Sequence, residues 1–338
     1  MARDVNRQWL LRARPEGRIK ATDFELVERD VPTAGAGEAI ARLLYLSLDP
    51  TNRVWVNDAE SYLPPVQIGE VMRGGGIAQV VESNTPMYAV GDLVSGLTGW
   101  QDYVRLDAGA MVQPLPKGLS VPPEVFLGVL GFTGLTAYFG LLDVGQPQAG
   151  ETVVISAAAG ATGSVVGQIA RIKGCRAVGI AGGPEKCRWL TDELGFDAAV
   201  DYKADGWTRR LREACPNGID VNFENVGGTM MDEVMSLMNL NGRVALCGMI
   251  SGYNSDETMR GRFDVILMKR LQVRGFIVLD YLPRFAEGVT QLAQWYAEGR
   301  VKHRDTIVTG LEQAPTALNM LFDGKNLGKL LIKVANPG

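Results

Sequence analysis

The second half of the chain alternates between short apolar runs and helical patterns, and this alternation limits the folds open to it. The apolar runs cover 151–156, 175–181, 197–202, 218–225, 242–248 and 271–278. Stretches with helical spacing of apolar and charged residues separate them. Strands that alternate with helices form a parallel sheet covered by helices on both faces. The sequence therefore predicts a doubly wound, six-stranded α/β sheet, with a helix from about Arg284 to Gly299 over its last edge.

The first part of the chain has a different pattern. Residues 1–125 contain short strand-like runs separated by Gly, Pro and Asp turns, without a regular crossover helix. The last residues, "LGKLLIKVANPG", are strand-like again and are predicted to return to this first module. We therefore expect a β-rich domain from 1–127 and 308–338, and an α/β domain from 128–307.

Composition and charge exclude several classes of function. The chain has 338 residues, 46% of them hydrophobic and 21% charged, as expected for a globular protein of about two domains. A net charge of −4 argues against nucleic acid or an anionic membrane as a partner. Residues 125–142 carry no charge, but the glycines and threonines among them argue against a membrane span. The charged start of the chain does not resemble a secretory signal.

The cysteines and the single histidine lie in the second half of the chain. The cysteines are Cys175, Cys187, Cys215 and Cys247. None forms a CxxC pair, which favours a reduced, cytoplasmic setting and structural roles. His303, in "VKHRDTIV", is predicted to be a surface residue rather than a catalytic base.

A glycine-rich turn follows the first apolar run of the α/β half. In "AAAGATGSVVGQIARIKG" (157–174), Gly160, Gly163 and Gly167 stand between a strand and a helix. Small residues there let a pyrophosphate approach the backbone, and a helix N-terminus attracts an anion. The pattern predicts a dinucleotide site at Gly160, Ala161, Thr162 and Gly163.

The end of the second apolar run indicates which dinucleotide is bound. NAD sites usually place an acid there for the ribose hydroxyls, but here Gly182 and Gly183 occupy that position. Lys186 follows shortly, and Tyr202 ends the third run. An ammonium group attracts a 2′-phosphate, so these residues predict NADPH. The alternative is that Lys186 is a solvated surface lysine.

Several long motifs, in the same order along nearly the whole chain, resemble one family. They include "YLSLDP" (45–50), "IGEVMRGG" (68–75), "GLTAYFGLL" (134–142), "AGGPEKCRWL" (181–190), "NFENVGG" (222–228), "CGMISGYN" (247–254) and "GKNLGKLLIKV" (324–334). With the glycine turn, they resemble the zinc-free, NADPH-dependent alkenal/one oxidoreductases of the medium-chain dehydrogenase/reductase superfamily, a group that includes prostaglandin and curcumin reductases.

The resemblance implies an architecture and a set of site residues. It implies a GroES-like catalytic domain beside a Rossmann domain, with cofactor and substrate in the cleft between them. It implies that Lys186, Tyr202 and Gly183 lie at the adenosine end of NADP(H), and that Tyr253 lies by the nicotinamide ribose and the substrate carbonyl. Further positions match residues that line the cofactor: Asn225, Gly248 and Asn326. A homodimer is also implied, with the runs at 271–278 paired edge to edge.

Zinc-dependent relatives use a Gly-His-Glu motif where this chain has Ile68-Gly69-Glu70, and residues 1–174 contain no Cys or His. We therefore expect conjugate reduction of an α,β-unsaturated aldehyde or ketone, in which hydride reaches the β-carbon and charge collects on the carbonyl oxygen. A phenol has an unperturbed pKa of about 10, so Tyr253 is the expected proton donor. Two alternatives remain open: quinone reduction, and a protein that holds NADPH without turnover.

One motif departs from the family pattern. Many relatives continue "LSLDP" with Tyr-Met-Arg, whereas this chain has Thr51-Asn52-Arg53. The aromatic side chain that often walls the substrate pocket is therefore missing. Trp55, Tyr62 and Tyr281 are candidates to line the pocket in its place.

Overall fold

A computed structural model describes residues 5–118, 121–255 and 261–338, which form two compact units. The first unit contains Met1–Leu127, Asp305–Asn326 and Leu330–Gly338. The second contains Gly128–Arg304 and the short segment Leu327–Lys329. The sequence predicts a return to the first unit at 308, whereas the structure has it at Asp305, where a strand of the first unit begins.

The first unit opens with seven strands and one short helix. They are β1 (Val5–Leu11), β2 (Phe24–Asp30), β3 (Ala39–Leu48), α1 (Thr51–Trp55), β4 (Gly75–Ser83), β5 (Leu93–Leu97), β6 (Tyr103–Leu106) and β7 (Val112–Pro114).

The second unit alternates strands with helices after its first helix. Its elements are α2 (Phe132–Phe139), β8 (Thr152–Ile155), α3 (Ala161–Ile172), β9 (Arg176–Ala181), α4 (Pro184–Arg188), β10 (Ala198–Asp201), α5 (Trp207–Ala214), β11 (Ile219–Glu224), α6 (Gly228–Ser236), β12 (Met238–Leu246), α7 (Phe263–Lys269), β13 (Gln272–Gly275) and α8 (Phe285–Ala297).

The chain ends with β14 (Asp305–Thr309), α9 (Ala314–Asp323) and β15 (Lys329–Lys333). Short 3-10 turns occur at Ala21–Asp23, Pro123–Leu127, Ile250–Gly252, Val278–Arg284 and Leu311–Gln313, and π-helical turns at Gly140–Gly145 and Trp189–Glu193.

The first unit is built on an antiparallel sheet packed against separate clusters of buried apolar residues. The strand order is β14-β15-β3-β4-β5-β7, and β6 pairs with β3, while β1 and β2 form a separate pair. β3 is central because apolar side chains fill both of its faces, and Leu43, Leu44 and Leu46 are fully buried. β15 pairs with Tyr45–Leu48 of β3, which confirms the predicted return of the C-terminal strand.

The second unit contains a six-stranded parallel sheet in the order β10-β9-β8-β11-β12-β13. β8 lies at its centre, where the strand order reverses, and all four residues of β8 are buried. A reversal of this kind opens a crevice at the carboxyl ends of the strands. The predicted α/β class, a β-rich module joined to a doubly wound sheet, is confirmed.

Three elements of the second unit differ from the prediction. β12 begins at Met238, within the segment predicted as helix, because α6 already ends at Ser236. β13 is shorter than the predicted run and ends at Gly275. The helix α8 does not cover the last strand: it packs on α2, where Gly288 lies against Leu135 and Phe139.

None of the helices in the described residues is long and apolar enough to cross a membrane.

Candidate functional site

Two glycines of α3, which follows the glycine turn, leave no room for larger side chains. A Cβ at Gly163 would lie 2.6 Å from the carbonyl oxygen of Ala157, and a Cβ at Gly167 would lie 1.9 Å from the ring of Phe196. Ala157 itself has a positive φ of 47°, which an alanine rarely adopts. The turn is thus strained and tightly packed, as in other sites where backbone approaches a ligand.

The helix α3 begins directly after this turn, with Gly160 as its extended N-cap residue. The Ser164 N–H donates to the Gly160 carbonyl at 3.1 Å and closes the first helical turn. The N–H groups of Ala161, Thr162 and Gly163 precede that bond, so they have no acceptor within the helix. These donors and the positive end of the helix dipole could hold a pyrophosphate, for which the sequence predicts a site at these residues.

Two lysines, Lys186 of α4 and Lys203 after β10, lie near enough for their charges to interact. Lys186 is half-buried, and burial together with the Lys203 cation lowers its pKa. Neither ammonium group forms an ion pair with a carboxylate in the part of the chain that the structure describes. Gly182 packs beside them, because a Cβ there would lie 3.0 Å from both Lys203 and the ring of Tyr202. Two unpaired cations beside a phenol suit a dianion such as a 2′-phosphate.

Asp201, the last residue of β10, fixes the backbone around these lysines. One carboxylate oxygen accepts the Gly183 N–H at 2.8 Å and the Lys203 N–H at 2.9 Å. Gly183 has a φ of 96° with open space around it, so glycine is needed there for its conformation. Sequence reasoning predicts Lys186 and Tyr202 but misses Lys203 and Asp201. The adjacency of Lys203 to Tyr202 was the only available signal.

A buried network shapes the carboxyl ends of β8 and β11. Glu224 is fully buried, and its carboxylate accepts the Ser156 hydroxyl at 2.7 Å and the Asn222 amide at 2.9 Å. It also accepts the backbone N–H groups of Val226 and Gly227, at 2.7 and 2.9 Å. Hydrogen bonds of this number satisfy a charge that burial would otherwise destabilise.

The same network holds Asn225, one of the predicted cofactor residues. Its backbone N–H donates to Ser156 Oγ at 2.7 Å, and its side-chain amide donates to the Ser156 carbonyl at 2.7 Å. Asn225 is therefore held rigidly at the edge of the crevice. Sequence reasoning misses Ser156 and Glu224, since neither residue type at these positions signals a buried pair.

Tyr253 folds back over the loop that follows β12. Its hydroxyl oxygen accepts the Met249 N–H at 3.2 Å, and a Cβ at Gly248 would lie 3.1 Å from that oxygen. The predicted residues Gly248 and Tyr253 are thus neighbours at the carboxyl end of β12. The loop is held to β11 by the Ile250 N–H, which donates to the Asn225 carbonyl at 3.1 Å.

Asn326 is a buried residue of the first unit and directly precedes the segment Leu327–Lys329 of the second. In that segment the Gly328 N–H donates to the Ala159 carbonyl at 2.9 Å, and Gly328 forms a bridge with Gly160. The chain beside Asn326 is thereby bonded to the glycine turn.

The three aromatic residues predicted to line a substrate pocket do not lie together in one unit. Trp55 and Tyr62 are neighbours in the first unit, with ring centroids 6.5 Å apart. Tyr281 belongs to the second unit and stacks on Phe139 at 4.5 Å. It also lines a surface cavity of about 480 Å³ that includes Asp143 and Arg274 but none of the predicted catalytic or cofactor residues.

The surroundings of the cysteines disfavour the thiolate form, because burial raises the pKa of all four thiols. All four are free, and burial beside Glu224 raises the pKa of the Cys247 thiol to about 12. His303 packs its ring on Tyr296, with centroids 5.5 Å apart. No group of three or more His, Cys, Asp or Glu side chains suited to a metal ion occurs among the residues that the structure describes.

Two family profiles match the chain. One, described as the N-terminal domain of oxidoreductase, matches residues 7–114. The other, described as zinc-binding dehydrogenase, matches residues 161–295.

Similar proteins extend over the full length. The NADPH-dependent curcumin reductase of Escherichia coli is 46% identical, over 98% of this chain and 97% of its own. The NADP(+)-dependent 2-alkenal reductase of Nicotiana tabacum is 39% identical, over 99% of each chain. The crystal structure of CurA from Vibrio vulnificus in complex with NADPH is 45% identical with a TM-score of 0.93, over 98% of this chain and 100% of its own.

Proposed function

The chain belongs to the zinc-free, NADPH-dependent group of the medium-chain dehydrogenase/reductase family, and we propose that it reduces the C=C bond of α,β-unsaturated aldehydes and ketones. NADPH is its cofactor, as in these homologues. One observation carries the proposal at the level of residues. The carboxyl edge of a single parallel sheet bears two unpaired lysines and, at the end of β12, a tyrosine hydroxyl.

Each of these groups has a distinct task. We propose that Lys186, Lys203 and Tyr202 bind the 2′-phosphate, and that the N–H groups of Ala161, Thr162 and Gly163 bind the pyrophosphate. NADPH, when bound, supplies the hydride that reaches the β-carbon of the substrate. The protein then needs only to stabilise the charge that collects on the carbonyl oxygen.

Tyr253 is the residue that we propose for this task. Its oxygen accepts the Met249 N–H, and a phenol can accept one hydrogen bond and donate another. The O–H can donate to the developing enolate oxygen and then serve as the proton source. The Glu224 network acts indirectly, because it fixes Asn225 and, through the Asn225 carbonyl, the Ile250 backbone in the Tyr253 loop.

We propose further that two copies associate through β13. This strand is at the edge of the parallel sheet, and all of its residues are exposed. An exposed edge can add a strand from a second copy. The helix α7 directly precedes β13 in the sequence. Three of its apolar side chains, Phe263, Leu267 and Met268, are more than two-thirds exposed, at 77%, 73% and 69%. Apolar exposure of this extent marks an interaction surface.

The cytoplasm is the compartment that we propose. Its support is the set of free thiols, two of them on the buried residues Cys175 and Cys215.

The experiment that tests the activity follows NADPH oxidation with three substrates: a 2-alkenal, its saturated aldehyde and a simple quinone. We expect turnover of the 2-alkenal, with the saturated aldehyde as product, and little turnover of the other two. Tyr253→Phe should lower kcat by roughly a hundredfold, because the carbonyl oxygen loses its donor. NADPH affinity should change little.

Tyr296→Phe is the matched control, since it removes a hydroxyl from another tyrosine of the same unit, which packs on His303. If only the quinone is turned over, the proposed activity becomes quinone reduction in place of enone reduction. NADPH binding without any turnover would instead identify a binding protein, and full activity of Tyr253→Phe would remove Tyr253 from the mechanism.

A further inference from the structure

The loop at the end of β10, residues 201–205, carries two of the three side chains that we propose to bind the 2′-phosphate. These are Tyr202 and Lys203, and both pack beside Gly182, where a Cβ would lie 3.0 Å from each of them. Tyr202 is nevertheless 39% exposed, and Lys203 is exposed as well. Because exposed loops move more than the elements that they connect, such side chains keep one position only where their backbone is bonded.

One arginine bonds this loop through its backbone carbonyls. Arg210, on α5, donates from Nη1 to the Asp205 carbonyl at 2.6 Å and from Nη2 to the Ala204 carbonyl at 2.8 Å. Nη2 also donates to the Asp201 carbonyl at 3.4 Å. A single planar guanidinium group thus connects both ends of the loop to the helix that follows it.

No carboxylate competes for this guanidinium group. Arg210 is partly buried and forms no ion pair in the part of the chain that the structure describes. Its neighbour Arg209 differs: the side chain is 77% exposed, and its Nε lies 3.7 Å from the carboxylate of Glu213. The two adjacent arginines therefore carry the same charge, but only Arg210 is bonded to the loop.

A second set of bonds connects the same loop to the start of α4. The Asp201 carboxylate accepts the backbone N–H groups of Lys203 and of Gly183, which is the N-cap residue of α4. Lys186 lies in the first turns of this helix. The loop is therefore held by its carbonyls to α5 and by an N–H group, through Asp201, to the backbone next to Lys186.

From this geometry we propose that Arg210 is a positioning residue for the selection of NADPH over NADH, because its bonds to the loop carbonyls hold Tyr202 and Lys203 ready for the 2′-phosphate. Groups that are ordered in advance bind more tightly, since ordering a loop or a long side chain on binding costs free energy. The benefit is confined to NADPH, because NADH has a hydroxyl group in place of this phosphate. This inference rests on the proposed 2′-phosphate site and names a residue that acts through the loop.

The test compares R210Q with R209Q. Each removes one positive charge from adjacent positions of α5, but only R210Q removes the bonds to the loop. Fluorescence titration should show that R210Q weakens NADPH binding by about tenfold and changes NADH binding by less than about twofold, because the loop must then be ordered on binding. R209Q should bind both nucleotides as the parent protein does. The ratio of the two affinities is the informative quantity, because a general loss of folding would weaken both.

Two further variants separate positioning from charge. R210K keeps the charge, but a single ammonium group cannot span the same carbonyls as the planar fork, so the preference for NADPH should fall several-fold. In Lys203→Ala, adding R210Q should weaken NADPH binding by less than it does in the parent protein, because Arg210 acts partly through Lys203.

The outcomes distinguish this inference from the proposed phosphate site. If Lys186→Ala and Lys203→Ala weaken NADPH and NADH equally, the phosphate site itself fails. If they weaken NADPH alone while R210Q keeps the preference of the parent protein, the site stands and the role of Arg210 is refuted. Equal weakening of both nucleotides by R210Q, full preference in R210K, or strict additivity of R210Q with Lys203→Ala would each overturn the positioning role as well.

Discussion

Lys186 of α4 and Lys203 after β10 place two interacting positive charges near one another, an arrangement that a bound dianion would stabilise. We predict that Lys186→Ala and Lys203→Ala each weaken NADPH binding by about tenfold or more, since each removes a charge-assisted hydrogen bond. NADH binding should stay within about twofold, because NADH lacks the 2′-phosphate. Fluorescence titration with both nucleotides measures this difference.

The lowered pKa of Lys186 sets the sign of the pH dependence. Its ammonium group loses its proton at a lower pH than that of a free lysine. The preference for NADPH over NADH should therefore decline as the pH is raised, and should do so below the pH at which a free lysine titrates. Lys173→Ala is the control, as its ammonium lies over the Trp295 ring in the same unit. An equal loss of NADPH and NADH affinity in Lys186→Ala would contradict the assignment.

Two residues of the candidate site show what the sequence can and cannot indicate. Lys186 can be proposed from the sequence, because no acid ends the second apolar run and a cation at the start of a helix is unusual. Glu224 could not, because a glutamate at the end of an apolar strand gives no sign that Ser156 and two backbone N–H groups will satisfy its charge. Long-range partners of this kind depend on the strand order, which the local sequence does not encode.

The contact of α3 with the sheet depends on one glycine, and this gives a prediction about an element. Alanine has the higher helix propensity, by up to about 1 kcal/mol, so propensity alone would make Gly167→Ala stabilising. A Cβ at this position would overlap the Phe196 ring, however, and Phe196 is 4% exposed. We therefore predict a loss of about 1–3 kcal/mol in the free energy of unfolding, measured by urea titration.

The double variant Gly167→Ala, Phe196→Leu provides the check on this reasoning. When Phe196 has been replaced by leucine, adding Gly167→Ala should cost less free energy of unfolding than it costs in the parent protein. Such a difference is expected for coupled neighbours. If the two substitutions were simply additive, the overlap with Phe196 would not be the cause.

The elements of the second unit were predictable to different degrees. β8, β9 and β11 coincide with apolar runs, because a central parallel strand is buried on both faces. β10 also coincides with an apolar run, although it is an edge strand and only Val200 is buried in it. β12 starts earlier than its apolar run, since its first residues pair with β11 from Ile219 onward. The position of α8 on α2 depends on Gly288 fitting against Leu135 and Phe139, a match between two distant segments that no local pattern indicates.

For the molecule as a whole, the predicted assembly is a dimer through β13. We expect light scattering to give twice the 36.5 kDa chain mass. Val273 of β13 is 37% exposed, and Val273→Lys would place two like charges at the paired edges and shift the protein toward the monomer. Val81→Lys on β4, where Val81 is 42% exposed, is the matched control and should leave the mass unchanged. A monomeric parent protein would refute the pairing.

The antiparallel sheet has a consequence for synthesis of the chain. Tyr45–Leu48 of β3 pairs with β15, which is made after all six strands of the parallel sheet. The parallel sheet, by contrast, uses strands from a continuous stretch, β8 to β13. Because domains fold as units while the ribosome extends the chain, we expect the nucleotide-binding unit to fold first. In the first unit, although β3 is translated earlier, this segment of β3 lacks its partner until β15 has been made.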